Sequence, residues 1–583
     1  MEKEYTGYPS IDRPWEKYYT KEQLNTSLPE MTLWQNIYSN NKDYPNDIAI
    51  NYFGNKITYK SLFENVNWCA MALKNFGIKK GECVTLCTSS TPEAVIVVLA
   101  CNKIGALANF LNPLFSEESM KNLLKKAESK IIFVLDRLLE NTEKVFDELN
   151  IETKVIIPVN NSMKYPLKFI AGIKRKNPIR KFSEQNYLSW NDFIMEGKNY
   201  PEREFDDLEV KYKKDYPAIM VYSSGTTGEP KGIVLTNDGI NATIAHSKDT
   251  SHQHKRGDTF LQMIPIWFST GIVLSMMMPL TMGITVILEP VFSKENFAKG
   301  LAKFKPNMTL GATSLWRYAI HSKKMKKIDF SKMTFPMSGG EAIREQDGKE
   351  IKKFLLNHGC TATFFVGYGM CELGSQVTSS TVLYQGKEGS AGIPILRSRV
   401  SSFDINTNEE LTYGQRGEIR VDSPAKMKEY FKKPEATEEY FYTDKNGTKW
   451  GCTGDIGYVD EDGDVFILGR ESDHFITEEG KKVYNFDIEN VVLKDERISA
   501  CKALGITING KVTPVVHILL GEGAEDSFEV IIRDIDKNCK AQLPEYAVPV
   551  AYKKRESFPV HPNGKRDVDS LMEEREGLID EWG

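Results

Sequence analysis

A segment rich in glycine and hydroxyl side chains, at residues 223–232, has the composition of a phosphate-binding loop. It reads Ser-Ser-Gly-Thr-Thr-Gly-Glu-Pro-Lys-Gly between two apolar runs, where a flexible linker would not be expected. Glycine permits tight turns that expose backbone N–H groups, hydroxyls add short donors, and Lys231 adds a positive charge. Proline precedes the lysine, where a Walker A loop requires glycine, so another kind of polyphosphate site is predicted. The candidate binding residues are Ser223, Ser224, Gly225, Thr226, Thr227, Gly228 and Lys231.

Alternating apolar runs and amphipathic stretches predict the elements that must position this loop. Such alternation is typical of a parallel sheet covered by helices. We therefore expect an α/β fold, with a large N-terminal domain of helix-covered, mainly parallel sheets and a small C-terminal α+β domain. The predicted strands lie within 48–53, 83–88, 106–113 and 130–136, and the predicted helices lie within 57–77, 92–105 and 116–130.

The length of 583 residues exceeds what one hydrophobic core supports, so at least two domains are expected. A shift to charge-rich sequence near residue 470 predicts domains over 1–469 and 470–583. The chain has 75 basic and 80 acidic residues, which argues against a nucleic-acid binder. Its nine cysteines form no CxxC pair, and the N-terminus lacks the apolar core of a signal peptide, so a reducing cytoplasm is expected.

The apolar stretch 271–288 is about long enough to span a membrane. Pro279 and Gly283 interrupt it, and β-branched residues crowd its second half. A buried helix, a turn and a buried strand therefore explain it better than a transmembrane span does.

Residues 161–182 form a basic segment that contains no acidic residue. Its basic residues are Lys164, Lys168, Lys174, Arg175, Lys176, Arg180 and Lys181. Apolar residues are interleaved with them at Tyr165, Leu167, Phe169 and Ile170. The pattern is consistent with a weak contact to an anionic membrane surface or to a phosphorylated substrate. A solvated surface loop is the commoner origin of such a pattern.

The loop at 223–232 resembles SSGTTGxPKG, the signature of the adenylate-forming superfamily of acyl-CoA synthetases, peptide-synthetase adenylation domains and beetle luciferases. Further motifs follow in the family's order over nearly the whole chain. They are SGGEA at 338–342, FFVGYGMCE at 364–372, TGD at 453–455, LPEYAVP at 543–549 and FPVHPNGK at 558–565. The resemblance implies an enzyme that uses ATP and Mg²⁺ to activate a carboxylic acid.

The resemblance also implies roles around the nucleotide. The backbone of the 338–342 loop would flank the adenine, and Tyr368 would stack on it. Glu372 would hold the Mg²⁺, and Asp455 would bind the ribose hydroxyls. Arg470 would add a ribose or phosphate contact. The nucleotide-binding residues implied outside the phosphate loop are Gly339, Gly340, Glu341, Tyr368, Gly369, Met370, Cys371, Asp455 and Arg470.

Three further positions of the motifs bear on catalysis. Lys565 is the implied catalytic lysine, because a flexible cation on an Asn-Gly turn can neutralise the charge that develops between carboxylate and α-phosphate. Ser472 occupies the position of the hinge between the family's two domains. Cys371 stands where the family usually has a threonine that contacts the α-phosphate, and a thiol is a weaker donor.

The family's acid pocket corresponds to the region 263–271. Amino-acid-activating relatives carry an aspartate where this chain has Ser269, so a substrate without an α-amino group is expected. Apolar residues, including Met276, Met277 and Met278, predict a fatty or aromatic acyl group, although the same residues are also typical of plain core. The predicted pocket residues are Trp267, Phe268, Thr270, Gly271 and Ser338.

The resemblance as a whole predicts activation of a small carboxylic acid to acyl-AMP, followed by transfer to coenzyme A. One alternative is a stand-alone adenylating enzyme that loads the phosphopantetheine of a carrier protein in trans. Another is a non-catalytic nucleotide-binding paralogue. The combination of Lys565, Glu372 and Asp455 argues against a mere binder, which has no need of the lysine. The acid, the acceptor and the oligomeric state stay open.

Overall fold

The structure is a computed structural model. It describes residues 5–149, 151–173, 187–201, 204, 206–223, 229–250, 254–341, 343–508, 510–521, 524, 526–559, 567–573 and 579–580. The strands are β1 Ile48–Tyr52, β2 Asn55–Thr58, β3 Cys83–Cys87, β4 Leu107–Phe110, β5 Ile131–Leu135, β6 Thr153–Ile157, β7 Tyr187–Ser189, β8 Pro217–Tyr222, β9 Gly232–Thr236, β10 Thr259–Gln262, β11 Thr285–Leu288, β12 Met308–Gly311, β13 Phe335–Gly339, β14 Phe365–Tyr368, β15 Thr378–Ser379, β16 Ile393–Pro394, β17 Arg399–Phe403, β18 Gly417–Asp422, β19 Glu429–Tyr430, β20 Phe441–Thr443, β21 Lys449–Val459, β22 Val465–Arg470, β23 His474–Ile476, β24 Lys482–Tyr484, β25 Ile498–Ile508, β26 Lys511–Leu520, β27 Ala551–Arg555 and β28 Ile579–Asp580.

The α-helices alternate with these strands in the first half of the chain. They are α1 Pro9–Asp12, α2 Lys21–Asn25, α3 Leu33–Asn41, α4 Tyr59–Asn75, α5 Pro92–Ile104, α6 Glu117–Ala127, α7 Leu139–Glu148, α8 Leu167–Ile173, α9 Trp190–Lys198, α10 Asn237–Thr250, α11 Met278–Thr281, α12 Lys294–Phe304, α13 Thr313–His321, α14 Glu345–Asn357, α15 Pro434–Tyr440, α16 Asn485–Val492, α17 Phe528–Gln542 and α18 Val568–Glu573. All the predicted strands and helices of residues 48–136 are present, and the predicted α/β class is confirmed.

Two large sheets dominate the part of the chain before residue 470. One has nine strands in the order β16-β15-β14-β13-β12-β10-β11-β1-β2, and the other has eight in the order β19-β9-β8-β4-β3-β5-β6-β7. Six consecutive strands of the first, from β14 to β1, run parallel, as do β8 to β7 in the second. Helix α5 is buried along its whole length, and the largest core cluster draws side chains from both sheets. The loops that follow parallel strands lie together at the carboxyl edge of the sheet, which is where open α/β sheets bind ligands.

The part of the chain after residue 470 has cores of its own. Strands β25 to β28 form one sheet, and α17 packs its apolar face, which includes Ile531 and Ile535, against it. One core cluster here contains only residues between Val483 and Tyr552. This separate packing agrees with a C-terminal domain over 470–583, whose boundary stays a prediction.

The apolar stretch 271–288 is a buried helix, a turn and a buried strand, as predicted. A π-helix at Thr270–Met277 continues into α11, and β11 follows. Pro279 lies in the first turn of α11, and Gly283 adopts a φ of 74° in the turn. The π-helical winding was not predicted, because it leaves no mark on hydrophobic periodicity. Among the described residues, no helix is both long and apolar enough to cross a membrane.

Candidate active site

The hairpin of β8 and β9 joins the two ends of the predicted phosphate loop. Ser223 N–H donates to the carbonyl of Lys231 at 2.9 Å, and Lys231 N–H donates to Ser223 Oγ at 3.0 Å. Glu229 forms ion pairs with Lys126 at 2.6 Å and Lys433 at 3.1 Å. The start and end of the loop are therefore fixed by the sheet. The predicted binding residues Ser224, Gly225, Thr226, Thr227 and Gly228 lie outside the described residues.

A lysine, a tyrosine and a glutamate lie in a row beside the end of this loop. Lys231 Nζ lies 4.7 Å from the centroid of the Tyr430 ring, a cation–π arrangement. The Tyr430 phenol donates a hydrogen bond to Glu372 Oε1 at 3.0 Å. Tyr430 lies on β19, which pairs with β9 and so brings the phenol beside the hairpin. Lys231 and Glu372, predicted to act on phosphate and metal, thus share one neighbour.

A second group of predicted nucleotide residues lies on the hairpin of β21 and β22. Asp455 and Arg470 are direct partners in its antiparallel register, and Arg470 Nε lies 2.9 Å from Asp455 Oδ1. The Tyr368 phenol donates to Asp455 Oδ2 at 2.5 Å. The Asp455 N–H donates to Thr453 Oγ1 at 3.0 Å. Tyr368 and Arg470, which belong to different predicted motifs, therefore both contact Asp455.

The carboxylates of Glu372 and Asp455 are both buried, and burial raises the pKa of each. Burial raises the pKa of Glu372, and the Tyr430 hydrogen bond and the charges of Arg470 and Lys231 offset part of the rise. Burial also raises the pKa of Asp455, and Arg470 and the Tyr368 hydrogen bond oppose it. The Arg470 guanidinium thus stabilises the charged form of both carboxylates. Tyr368 of one group and Glu372 of the other also lie only four positions apart in the chain, at the end of β14 and just after it.

The end of β13 and the loop after it hold the residues predicted to flank the adenine. Ser338 Oγ is buried 3.0 Å from Thr313 Oγ1. Glu341 accepts hydrogen bonds from the N–H and the Oγ of Ser314, at 2.9 and 3.0 Å, and so caps the first turn of α13. Gly339 pairs with a glycine of β14, and Gly340 follows with a φ of 82°. The loop is thus held by strand pairing at Gly339 and by α13 at Glu341, while its contact with adenine stays a prediction.

The segment after β14 contains three further predicted nucleotide residues. A Cβ at Gly369 would lie 1.8 Å from the carbonyl oxygen of Ser375, so only glycine fits there. Met370 Sδ accepts a hydrogen bond from the Tyr440 phenol at 3.8 Å. Cys371 Sγ accepts one from Ser269 Oγ at 3.2 Å. Burial raises the pKa of Cys371 to about 11, so the thiol keeps its proton at neutral pH and is a weak donor.

The predicted acid pocket lies where the chain leaves β10 and enters the π-helix. Trp267 is partly buried against the main core, and its Nε1 is buried without a hydrogen-bond partner in the described part of the chain. Phe268 is 36% exposed. Thr270 Oγ1 accepts a hydrogen bond from Ser375 Oγ at 3.0 Å. These contacts tie the pocket segment to the segment that carries Cys371.

Close packing also constrains the helix behind the pocket. A Cβ at Gly271 would lie 2.1 Å from the carbonyl oxygen of Pro265, so only glycine fits at this position in the first turn of the π-helix. Met276, Met277 and Met278 are fully buried in the main core cluster. Their burial favours the interpretation of these methionines as core.

Ser472 and Lys565, the two predicted residues of the C-terminal region, differ in what the structure describes. Ser472 is exposed in the turn between β22 and β23. The N–H of Glu471, just before it, donates to the carbonyl of Gly454 at 2.8 Å. Asp473, just after it, accepts from Lys502 at 2.6 Å. Lys565 lies outside the described residues.

Several contacts of the site involve residues that the sequence did not single out. Tyr430 meets Glu372 across 58 positions of the chain, and Ser375 meets Thr270 across 105. No local pattern links such pairs, because only the tertiary fold brings the partners together. A buried tyrosine in the short strand β19 carried no distinguishing signal.

Glu372 fits the donor set expected for Mg²⁺, which prefers oxygen ligands and is commonly held by one or two carboxylates and substrate phosphates. Its carboxylate is buried and accepts a hydrogen bond from the neutral phenol of Tyr430. Among the described residues there is no group of three or more His, Cys, Asp or Glu that could hold an ion. Phosphate oxygens would therefore supply most of the remaining ligands.

Known proteins resemble the chain over most of its length. A family model for AMP-binding enzymes matches residues 37–431. A "Long-chain-fatty-acid--CoA ligase" of Bacillus subtilis (strain 168) is 25% identical over 575 residues, which cover 96% of this chain and 98% of the relative.

Solved structures share the fold. ATP-bound MatB from Rhodopseudomonas palustris has a TM-score of 0.75 at 21% identity, covering 93% of this chain and 98% of that one. The anthranilate CoA ligase AuaEII, in complex with anthranoyl-AMP, has a TM-score of 0.77 at 21% identity, covering 93% and 97%. The family match spans well over half of the sequence and includes the β8–β9 hairpin, Glu372 and Tyr430. This chain belongs to the AMP-binding enzyme family.

Proposed function

We propose that the protein is an ATP-dependent, AMP-forming acid:thiol ligase that makes an acyl-CoA from a carboxylic acid. One observation carries this proposal: residues from separate predicted motifs meet, since Lys231 and Glu372 share the neighbour Tyr430 and Asp455 pairs with Arg470. Lys231 and the phosphate-loop ends lie beside that site through Tyr430. The similarity to the Bacillus subtilis ligase over 96% of the chain supports the same function.

The reaction has two steps. A carboxylate oxygen of the acid attacks the α-phosphorus of ATP, and the bond to pyrophosphate breaks, which leaves acyl-AMP. The sulfur of coenzyme A then attacks the acyl carbon, AMP leaves, and the thiol proton is released. Positioning and charge neutralisation supply most of the catalysis in such phosphoryl chemistry. Bound Mg²⁺ would screen the phosphates from the carboxylate of Glu372.

The remaining site residues are assigned within this reaction. Asp455 binds the ribose hydroxyls, because an ionised carboxylate accepts from two donors. Lys565 neutralises the charge that develops at the α-phosphate. Cys371 replaces a stronger hydroxyl donor with a weak one, so the lysines carry more of the phosphate binding.

We further propose that residues 1–469 and 470–583 move relative to each other at Ser472 between the two steps. The bonding partners change at this position, because Glu471 N–H bonds to the β21–β22 hairpin and Asp473 bonds to the buried Lys502. Ser472 itself is exposed, so its side chain does not hinder rotation there. Contacts such as the Arg416–Asp487 ion pair at 2.8 Å would break and re-form during the movement.

The acid is proposed to carry a fatty or aromatic group without an α-amino group. Ser269 stands at the position expected to receive an amine, and its hydroxyl carries no negative charge that could pair with an ammonium. The hydroxyl instead donates a hydrogen bond to Cys371 Sγ. We expect an acceptor atom of the bound acid to satisfy Trp267 Nε1.

A panel of carboxylic acids in a pyrophosphate-exchange assay tests the function. We expect exchange with fatty or aromatic acids and little with amino acids. AMP release is then compared with coenzyme A and with a phosphopantetheine-bearing carrier protein as the acceptor. Faster release with coenzyme A supports the ligase, and faster release with the carrier replaces it with a loading enzyme.

The variant Lys565→Ala completes the test. We expect adenylate formation to fall by about 10²- to 10³-fold, because one charge stabiliser of the transition state is removed. Nucleotide binding without exchange for any acid would identify a non-catalytic paralogue.

A further inference from the structure

The basic segment of residues 161–182 presents a cluster of exposed apolar side chains that the proposed reaction does not use. Tyr165 is 71% exposed, Leu167 46%, Phe169 63% and Ile170 46%. All lie within six positions, on α8 and the residues just before it. Exposed apolar patches of this kind, bordered by polar groups, mark interaction surfaces.

Residues 159–162, which form the base of the cluster, are held by hydrogen bonds to the rest of the protein. Asn161 Nδ2 and Ser162 Oγ donate to Glu93 Oε1 at 2.7 and 2.6 Å, and Glu93 is buried at the start of α5. The Tyr52 phenol donates to the carbonyl of Val159 at 2.8 Å. Lys168 Nζ donates to the carbonyl of Asn161 at 2.6 Å, which ties α8 back to the base. The apolar residues are therefore exposed while the backbone beneath them is anchored.

Charge selects the partner. Lys164 is exposed beside the apolar cluster, and Lys168 lies on α8 itself. The sequence of 161–182 holds seven basic residues and no acidic one. Apolar side chains combined with lysines are the composition that binds a bilayer containing anionic lipid, where each lysine near the surface adds to the attraction.

Asn161 and Ser162, below the cluster, are linked to the predicted acid pocket through Glu93 and the residues just before α5. Ser90 precedes α5 by two positions, and its Oγ accepts from Gln262 Nε2 at 3.2 Å. The same Nε2 lies 3.4 Å from the carbonyl oxygen of Gly271, at the start of the π-helix behind the pocket. A short chain of contacts thus connects Glu93, under the cluster, with the pocket.

We propose that the exposed apolar residues of 164–170 dock on an anionic phospholipid bilayer and that an apolar acid dissolved in that bilayer reaches the pocket beside them. The second part rests on the proposed function. A water-insoluble acid partitions into the bilayer, so docking next to the pocket shortens its path. A water-soluble acid gains nothing from docking.

Co-sedimentation with vesicles tests the docking. The full-length protein is mixed with vesicles of phosphatidylcholine alone or with about one third phosphatidylglycerol, and bound protein is measured. Phe169→Ser should weaken binding by about tenfold. Lys164→Glu should weaken binding to the anionic vesicles by about tenfold and change binding to neutral vesicles little.

Two matched controls are available on α14. Leu356 is 65% exposed, close to the value for Phe169, and Lys353 is exposed like Lys164. Leu356→Ser and Lys353→Glu should bind vesicles like the unaltered protein. Equal binding by all five proteins overturns the docking surface. Loss of a dimer in Phe169→Ser, seen by light scattering without vesicles, overturns it in favour of self-association.

Activity measurements separate this proposal from the proposed function. In pyrophosphate exchange with a short, water-soluble acid, Phe169→Ser should match the unaltered protein, which also shows that it is folded. With a long-chain acid supplied in anionic vesicles, its rate should fall several-fold. Equal rates there overturn delivery from the bilayer. An absence of exchange with every acid in the unaltered protein overturns the ligase itself, while the vesicle-binding result still decides the docking.

Discussion

Two buried carboxylates of the site, Glu372 and Asp455, are compensated in different ways. Asp455 has a guanidinium at 2.9 Å and a phenol at 2.5 Å. Glu372 has a phenol at 3.0 Å, while the cations Lys231 and Arg470 act on it from a greater distance. A buried charge without a paired cation is costly. Asp455 therefore carries its counter-charge within the protein, whereas Glu372 is short of one.

The difference matches the roles proposed for the two residues. A residue that binds neutral ribose hydroxyls needs no further cation, and a fixed pair with Arg470 keeps it oriented. A residue that holds Mg²⁺ must be short of positive charge before the ion and nucleotide arrive. The same burial thus gives an already satisfied acceptor in one region and a receptive anion in the other.

The substitution Glu372→Gln should have the largest effect, because it removes the receptive anion and keeps the shape. We expect adenylate formation to fall by about 10²- to 10³-fold at saturating ATP, as for loss of a transition-state charge stabiliser. Pyrophosphate exchange over a range of Mg²⁺ concentrations measures this. Glu410→Gln is the control, since that carboxylate also accepts from neutral donors of Ser10 and Ser401, outside the site. A Glu372→Gln enzyme with an unchanged Mg²⁺ requirement would contradict the metal role.

Asp455→Asn should act on nucleotide binding more than on the chemical step. An amide accepts at one atom only, so a ribose contact and the Arg470 pair are weakened together. We expect the KM for ATP to rise by about 10- to 100-fold with a smaller change in kcat. Asp422→Asn is a matched control, because Asp422 pairs with Arg399 at 2.6 Å on neighbouring strands away from the site. If kcat fell and the KM for ATP did not change, the two carboxylates would not be divided as proposed.

Only part of this difference between Glu372 and Asp455 could be predicted from the sequence. The parallel sheets followed from the alternation of apolar runs and amphipathic stretches. Family motifs pointed to Glu372 and Asp455 themselves. The partner that distinguishes them, Tyr430, lies on a two-residue strand whose position depends on pairing with β9. Long-range pairing of so short a strand leaves no periodic signal, and the burial that raises both pKa values is a property of the folded protein.

Tyr430→Phe should sharpen the contrast by removing the neutral donor from Glu372. The phenol hydrogen bond opposes the rise that burial causes in the Glu372 pKa, so without it that pKa rises further. More of the glutamate is then protonated in mildly acidic solution, and the rate should fall about three- to tenfold there, with little change in alkaline solution. The pH dependence of kcat/KM measures this. Tyr413→Phe is the control, because that phenol donates to Asp12 at 3.0 Å away from the site. A uniform loss at every pH would mean that Tyr430 acts only by packing.

Stability in the absence of ATP and Mg²⁺ should show the smallest effect. Because burial raises the Glu372 pKa above its ordinary value of 4.5, the folded protein binds that proton more tightly than the unfolded chain does. Ionisation of Glu372 therefore lowers the free energy of unfolding as the pH rises from 4.5 through the raised pKa. The whole of this decrease is present at pH values above the raised pKa. Glu372→Gln lacks this decrease, so its unfolding midpoint should exceed that of the unaltered protein by about 2 °C or more at pH 8. The difference should vanish below pH 4.5, where both side chains are neutral. The unfolding midpoint of Asp455→Asn should rise less at pH 8, because that substitution also removes the carboxylate that pairs with Arg470. A midpoint for Glu372→Gln that is lower at pH 8 would show that the protein already supplies the missing counter-charge.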